Sequence, residues 1–166
     1  MLTTAQLILL KNEASTNPAI SAAWNAGDNG LVQIWLNSIS SPNYWVYRSN
    51  ISKDDICNKP SVDETNFSWT IYIARSQGER DAWREIFSIS GTVDATKENV
   101  RQAFMDIFSG GPGAPQRTHL AAKARRLATN AERVLVVSGT GTTGDVSTPG
   151  YLSSITLDDV RAMRLV

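Results

Sequence analysis

The sequence predicts a mainly α protein: a compact bundle of about five to six helices followed by a short extended or β arm at its C-terminal end. The prediction rests on three features. Apolar residues recur at helical spacing through most of residues 1–137, Gly- and Pro-containing breaks separate those runs, and residues 138–150 turn rich in Gly, Thr and Ser with no helical period. Two regions follow, a helical body over 1–137 and an arm over 138–166.

Leu2, Ala5, Leu7, Ile8, Leu9 and Ala14, with the hydroxyls of Thr3 and Thr4 at their start, predict the first helix. Pro18 opens a short second helix carrying Ile20, Ala23 and Trp24, and the run Ala26 to Gly30 ends it. Leu31, Ile34, Trp35 and Ile39 form the apolar stripe of a third helix that stops before Pro42. Tyr44 to Arg48 is β-like by residue type. The mixed apolar pattern from Phe67 to Phe87 predicts one helix over about 67–88, with Trp69 to Ala74 the part most like a strand. Val100, Phe104, Ile107 and Phe108 follow Thr96 and end at Gly110, Gly111, Pro112 and Gly113, a helix with a clear stop. Leu120, Ala124, Leu127, Ala131 and Leu135 then predict a long straight helix from Pro115. After the Gly/Thr/Ser stretch, Tyr151 to Ile155 reads as a short strand, and Thr156 with Asp158 and Asp159 starts a terminal helical turn.

Composition narrows the chemistry. Sixteen basic and sixteen acidic residues cancel, so the molecule as a whole is no electrostatic trap for nucleic acid or anionic lipid. One cysteine, Cys57, excludes an internal disulfide and fits a reducing compartment; the apolar run Leu7 to Leu10 is too short to cross a bilayer, and no leader or membrane role is expected. One histidine, His119, has no acidic neighbour in sequence to orient it and reads as a surface or helix-start residue. No catalytic, metal-binding or cofactor-binding set is predicted, and the protein is not expected to be an enzyme.

Two motifs invite a chemical reading. Gly139, Gly141 and Gly144 match GxGxxG after the apolar run 134–137, but Asp145 to Gly150 does not open the helix that would receive a pyrophosphate, so a flexible linker or docking arm is expected. The pairs Asp54–Asp55, Asp63–Glu64 and Asp158–Asp159 each fall where a helix is expected to begin, which is where the macrodipole favours acids. The helix expected over 117–133 is more distinctive. Arg117, Lys123, Arg125, Arg126 and Arg133 stand there against the single acid Glu132, a local positive field suited to phosphates or to an acidic protein surface.

Four stretches taken together resemble small proteins of the structural modules of tailed bacteriophages and prophages. They are Trp45 to Ile56 with Arg48, Glu98 to Phe104, Asn130 to Leu135 running into Gly139 to Thr143, and Ile155 to Ala162. The resemblance implies a virion structural protein assembled in the host cytoplasm. The role implied is a head-to-tail connector, or adaptor, whose homo-oligomeric ring joins portal and tail proteins. On that reading the basic helix faces DNA or portal with non-specific contact to packaged DNA, and Tyr151, Leu152 and Ile155 form an inter-subunit arm. Another neck, head-completion or decoration protein is the neighbouring possibility, and a small helical regulator that binds nucleic acid through 117–133 is the other class.

Overall fold

The computed structural model describes residues 1–88 and 90–166. In chain order the elements are α1 (Thr4–Thr16), α2 (Ser21–Asn25), α3 (Asn29–Asn37), β1 (Trp45–Tyr47), β2 (Ile51–Ser52), α4 (Lys53–Asn58), α5 (Trp69–Ile73), α6 (Gln77–Ile86), β3 (Thr92–Val93) and α7 (Glu98–Ile107). A 3₁₀ turn at Gly111–Gly113 leads into α8 (Ala114–Lys123), then β4 (Arg125–Leu127), α9 (Asn130–Val134), β5 (Val136–Ser138), β6 (Thr148–Pro149) and α10 (Leu157–Met163). The chain is an α/β mix, 50% helical and 11% strand, with ten helices and three small antiparallel sheets among the described residues. The expected bundle of about five to six helices is therefore wrong.

The correction has two main physical causes. The single helix expected over 67–88 is two, α5 and α6, because Ser76 caps α6 reciprocally with Glu79 and so restarts the helix. Arg80 takes the carbonyls left at the end of α5, with Nη1 donating to Ile73 O at 2.9 Å and to Arg75 O at 2.5 Å. The long helix expected from Pro115 stops at Lys123. Residues 125–127 instead form β4, the hydrogen-bonded neighbour of β1, and Thr129 with Glu132 caps the short α9. A strand partner some eighty residues away leaves no trace in local periodicity. Further along, residues 136–149 make the β5–β6 hairpin with Val136 opposite Pro149 and Ser138 opposite Thr148. Tyr151 to Ile155 joins no strand.

The chain divides into two compact units, Met1–Val46 with Leu127–Val166 and Tyr47–Arg126. In the first, Leu7, Leu10 and Ala14 of α1 pack with Trp24, Val32 and Leu36 and with Leu135, Ile155, Val160 and Met163. Residues 138–166 lie within this unit. Ile155 is held by a two-sided amide clamp: its N–H donates to Asn37 Oδ1 at 2.8 Å and its carbonyl accepts from Asn37 Nδ2 at 2.8 Å. Thr156 then caps α10 with Asp159, and α10 buries Val160 and Met163.

The second unit is built on aromatic packing. Trp83 of α6 is fully buried, 5.5 Å from Phe67 in a stacked pair and 5.5 Å from Phe108 edge to face, with Phe87 and Phe104 also against it. Such pairs add about 0.5–1.5 kcal/mol each beyond their area. Ile51 and Val93 sit opposite each other in the β2–β3 ladder and close one side of this core.

Because Ile155 is 1% exposed among α1, α3 and α10 residues, Ile155→Ala is expected to destabilise the protein by about 2–5 kcal/mol in urea unfolding. A change below about 0.5 kcal/mol, the size typical of surface substitutions, would contradict this packing.

Candidate functional site

The five basic residues of 117–133 do not share one helix face. They are spread over α8, β4 and α9, and their side chains turn to their own chain. Arg117 Nη1 donates to Phe108 O at 2.5 Å and Gly110 O at 2.7 Å, gathering the carbonyls left where α7 ends. Lys123 is buried and its Nζ donates to Pro60 O at 2.8 Å; burial pushes its ammonium below the usual lysine range, with Asp55 opposing and Arg48 and Lys59 adding. Arg125 pairs with Asp63 at 2.5 Å, Arg133 pairs with Glu13 at 2.6 Å, and half-buried Arg126 also has a partner. These charges act as tethers on backbone carbonyls and carboxylates.

His119 is fully buried on α8, not at a surface. A carbonyl can only accept, so its Nε2–H donates to Ile56 O at 2.8 Å, which leaves Nδ1 to accept from the Thr65 hydroxyl at 3.1 Å. Thr65 Oγ1 in turn accepts from Ser61 Oγ at 2.7 Å, and Ser61 Oγ accepts from the backbone N–H of Asp63 and Thr65. His119, Lys123 and Arg125 therefore hold the single turn 60–65 at three points, Thr65, Pro60 and Asp63. Asp63 and Glu64 belong to that turn and begin no helix, and Glu64 has φ of 60°.

The other acidic pairs do lie at helix starts. Ser52 caps α4 reciprocally with Asp55, and Thr156 caps α10 with Asp159. Lys59 approaches Asp55 at 2.8 Å and holds its carboxyl down to about 2, with the Ser52 hydroxyl and N–H helping and burial opposing. Among the described residues no group of three or more His, Cys, Asp or Glu is placed to hold a metal. Cys57 is half-buried, and burial pushes its thiol above the usual value, with Lys53 opposing and Asp54 adding.

The GxGxxG run is the loop of the β5–β6 hairpin and no helix follows it. Gly141 has φ of +73°, and a Cβ there would meet the Tyr44 ring at 2.3 Å; its carbonyl accepts from Trp45 N–H at 2.8 Å. The glycine is required so that the loop can lie against Tyr44. Of the three arm residues, Tyr151 is half-buried, Leu152 exposed and Ile155 buried in the first unit's core.

Sequence reasoning missed a charge-poor surface of the first unit. Between Glu13 and Arg48 the only charged residue is Asp28, and its Oδ1 accepts from Leu31 N–H as the cap of α3. The stripe Leu31, Ile34 and Ile39 faces solvent, with Ile34 66% exposed, while Val32 and Leu36 take the buried face. Leu31, Ile34, Ala19, Ala22, Ala23 and the acidic residue Asp28 are among the residues that line a groove of about 610 Å³. On α1, Ile8 and Leu9 are 42% and 49% exposed beside buried Leu7 and Leu10, so the helix is apolar on two faces, only one of which the described residues cover. The signal in the sequence was the missing charge rather than the apolar spacing.

Comparison with known proteins finds no matching family model, curated protein or solved structure. No helix of the described residues is long and apolar enough to cross a membrane.

Gly141→Ala is expected to destabilise the first unit by about 2 kcal/mol, read as a lowered urea midpoint, through the Tyr44 clash and the positive φ; an unchanged midpoint would show the loop free to move off Tyr44. Asp55 should titrate at about 2 by carboxyl NMR. A carboxyl whose folded value is depressed stabilises the fold above its unfolded value and loses that contribution as pH falls through the folded one. Asp55→Asn should accordingly flatten the fall in stability between about pH 4 and pH 2. An Asp55 midpoint near the ordinary 3.8 would show that Lys59 does not hold it.

Proposed function

We propose that this protein is a structural component of a tailed-phage virion, a head-to-tail connector whose homo-oligomeric ring joins portal and tail proteins. The observation that carries the proposal is the exposed apolar surface of the first unit: Ile8 and Leu9 of α1 face solvent, and Leu31 and Ile34 line a groove in a stretch of chain whose only charge is Asp28, which lines the groove too. Such a surface suits burial against protein, because charged residues are depleted at the centre of protein interfaces. The four stretches that resemble phage structural-module proteins supply the setting, and a virion location follows from them.

Within that reading the arm contact to a neighbour falls on Tyr151 and Leu152, since Ile155 is committed to its own core. The basic residues 117–133 would meet packaged DNA or the portal only through the parts of their side chains that internal bonds leave free, which suits weak contact without sequence preference. The alternative, a regulator that grips nucleic acid with these residues, has less support because Arg117, Lys123, Arg125 and Arg133 are spent on carbonyls and carboxylates of the chain itself.

Deleting the gene from the encoding phage is expected to yield DNA-filled heads without tails in electron micrographs, with the protein present in purified wild-type particles by mass spectrometry. Intact tailed particles from the deletion, or purified particles that lack the protein, would refute the proposal.

A further inference from the structure

Asn29 and Gly30 open α3 and are the single Asn-Gly pair in the chain. An asparagine side chain is electrophilic at Cγ, and the backbone nitrogen of the next residue can close a five-membered ring on it. Glycine favours that closure, because it has no Cβ to crowd the nitrogen or restrict its approach. Both residues are half-buried, within reach of water. The Gly30 N–H lies in the first turn, where helical amides find no carbonyl, and it makes no hydrogen bond among the described residues. Asp28 Oδ1 accepts from the Leu31 N–H at 2.9 Å and would stand 3.5 Å from a Cβ built on Gly30, so a carboxylate lies over the Gly30 peptide. Arg164 Nε donates to Asn29 Oδ1 at 2.7 Å, which draws electrons from Cγ. Asn29 Nδ2, the leaving group, has no partner among the described residues.

Asn37, at the other end of the same helix, is arranged in the opposite way. Its Nδ2 donates to Gln33 O at 3.0 Å and Ile155 O at 2.8 Å, and its Oδ1 accepts from the Ile155 N–H at 2.8 Å. The nitrogen that would attack it, that of Ser38, already donates to Trp35 O at 3.1 Å. Both the electrophile and the nucleophile are therefore tied down there.

We infer that Asn29 is a self-modification site, at which the Gly30 nitrogen attacks Asn29 Cγ, ammonia leaves and water opens the succinimide that forms. The Asp28 carboxylate takes the Gly30 amide proton as the N–Cγ bond forms. That proton passes to Nδ2 as the Cγ–Nδ2 bond breaks. Water then adds to one ring carbonyl or the other, giving aspartate or an isoaspartyl linkage, and no oxidant or cofactor is consumed. A helical backbone holds the Gly30 nitrogen off the line of attack, so closure follows local opening of the first turn, which Gly27, at φ of +78°, and Gly30 favour. The aspartate product sets a carboxylate on Arg164 and in the first turn of α3, where both the guanidinium and the helix dipole favour it. The isoaspartyl product adds a methylene group to the backbone and takes that turn out of helical register. Either way, the meeting of α3 and α10 gains a negative charge with age.

The experiment keeps full-length folded protein for weeks at mildly alkaline pH in heavy-oxygen water, which marks the hydrolysis, and locates the converted residue by fragment-ion mass spectrometry. Asn29 should convert while Asn37 keeps its amide. Two variants, each checked by circular dichroism for the native fold, test the parts. Gly30→Ala crowds the nitrogen and should abolish conversion over the same period. Asp28→Ser keeps a capping hydroxyl but removes the base, and should slow conversion about a hundredfold, the low end for a positioned base. A folded wild type that keeps its Asn29 amide while the same chain in urea loses it would show that the fold protects the pair, and would overturn the inference. Equal conversion of Asn29 and Asn37, or an Asp28→Ser variant that converts at the wild-type rate, would overturn the selection of this site by its neighbours. The connector reading stands or falls separately, on the deletion phage.

Discussion

The first unit depends on the clamp between Asn37 and Ile155. One side-chain amide satisfies both the N–H and the C=O of a single distant residue, imitating with a side chain what a neighbouring strand does with its backbone. Gln33 Nε2 adds a second donor to the same carbonyl at 3.1 Å. Once Ile155 is fixed beside α3, Thr156 caps α10 and turns Val160 and Met163 into the core that Leu10 and Val32 already line. Asn130 does similar work at the end of α3, its Nδ2 donating to Trp35 O at 2.9 Å and to Ser38 Oγ at 3.1 Å. The unit is thus assembled from two stretches of chain far apart in sequence and joined by amides that local patterns do not announce.

What could be read in the sequence was local. Thr3 before α1, Thr156 before α10 and the stop after α7 were legible because caps and glycine breaks act within a turn of their own position. The restart of α6 at Ser76 was written there too, as Ser76 followed by Glu79, but an apolar run crossing it looked continuous. Nothing local could show that residues 125–127 leave the helix to lie beside β1, since that pairing is long-range. The basic residues show the same limit more sharply. Their targets include the carbonyls of Phe108, Gly110 and Pro60, which every residue type possesses, so sequence gives the charge and withholds its destination.

Turning those cations inward changes where an interaction surface lies. A local positive field of unpaired side chains is the usual footprint for nucleic acid, and here most of it is consumed in tying the turn 60–65 and the end of α7 in place. In the first unit, α1 and α3 leave the apolar side chains of Ile8, Leu9, Leu31 and Ile34 uncovered. Exposed single apolar residues are ordinary, but a groove with branched walls in a stretch with one charge is the kind of surface that marks protein contact. That shift of emphasis, from the basic segment to the charge-poor apolar surface, is what the three-dimensional arrangement adds to the functional reading.

Hydrogen exchange at the Ile155 amide, followed by NMR or by mass spectrometry of the peptide that spans α10, tests the central structural claim most directly. If the clamp closes the unit, Ile155 N–H and the α10 amides that follow it exchange as slowly as the buried turns of α1, through opening of the whole unit. Exchange of residues 155–163 at the rate of an open loop while α1 stays protected would show a detachable arm and contradict the account.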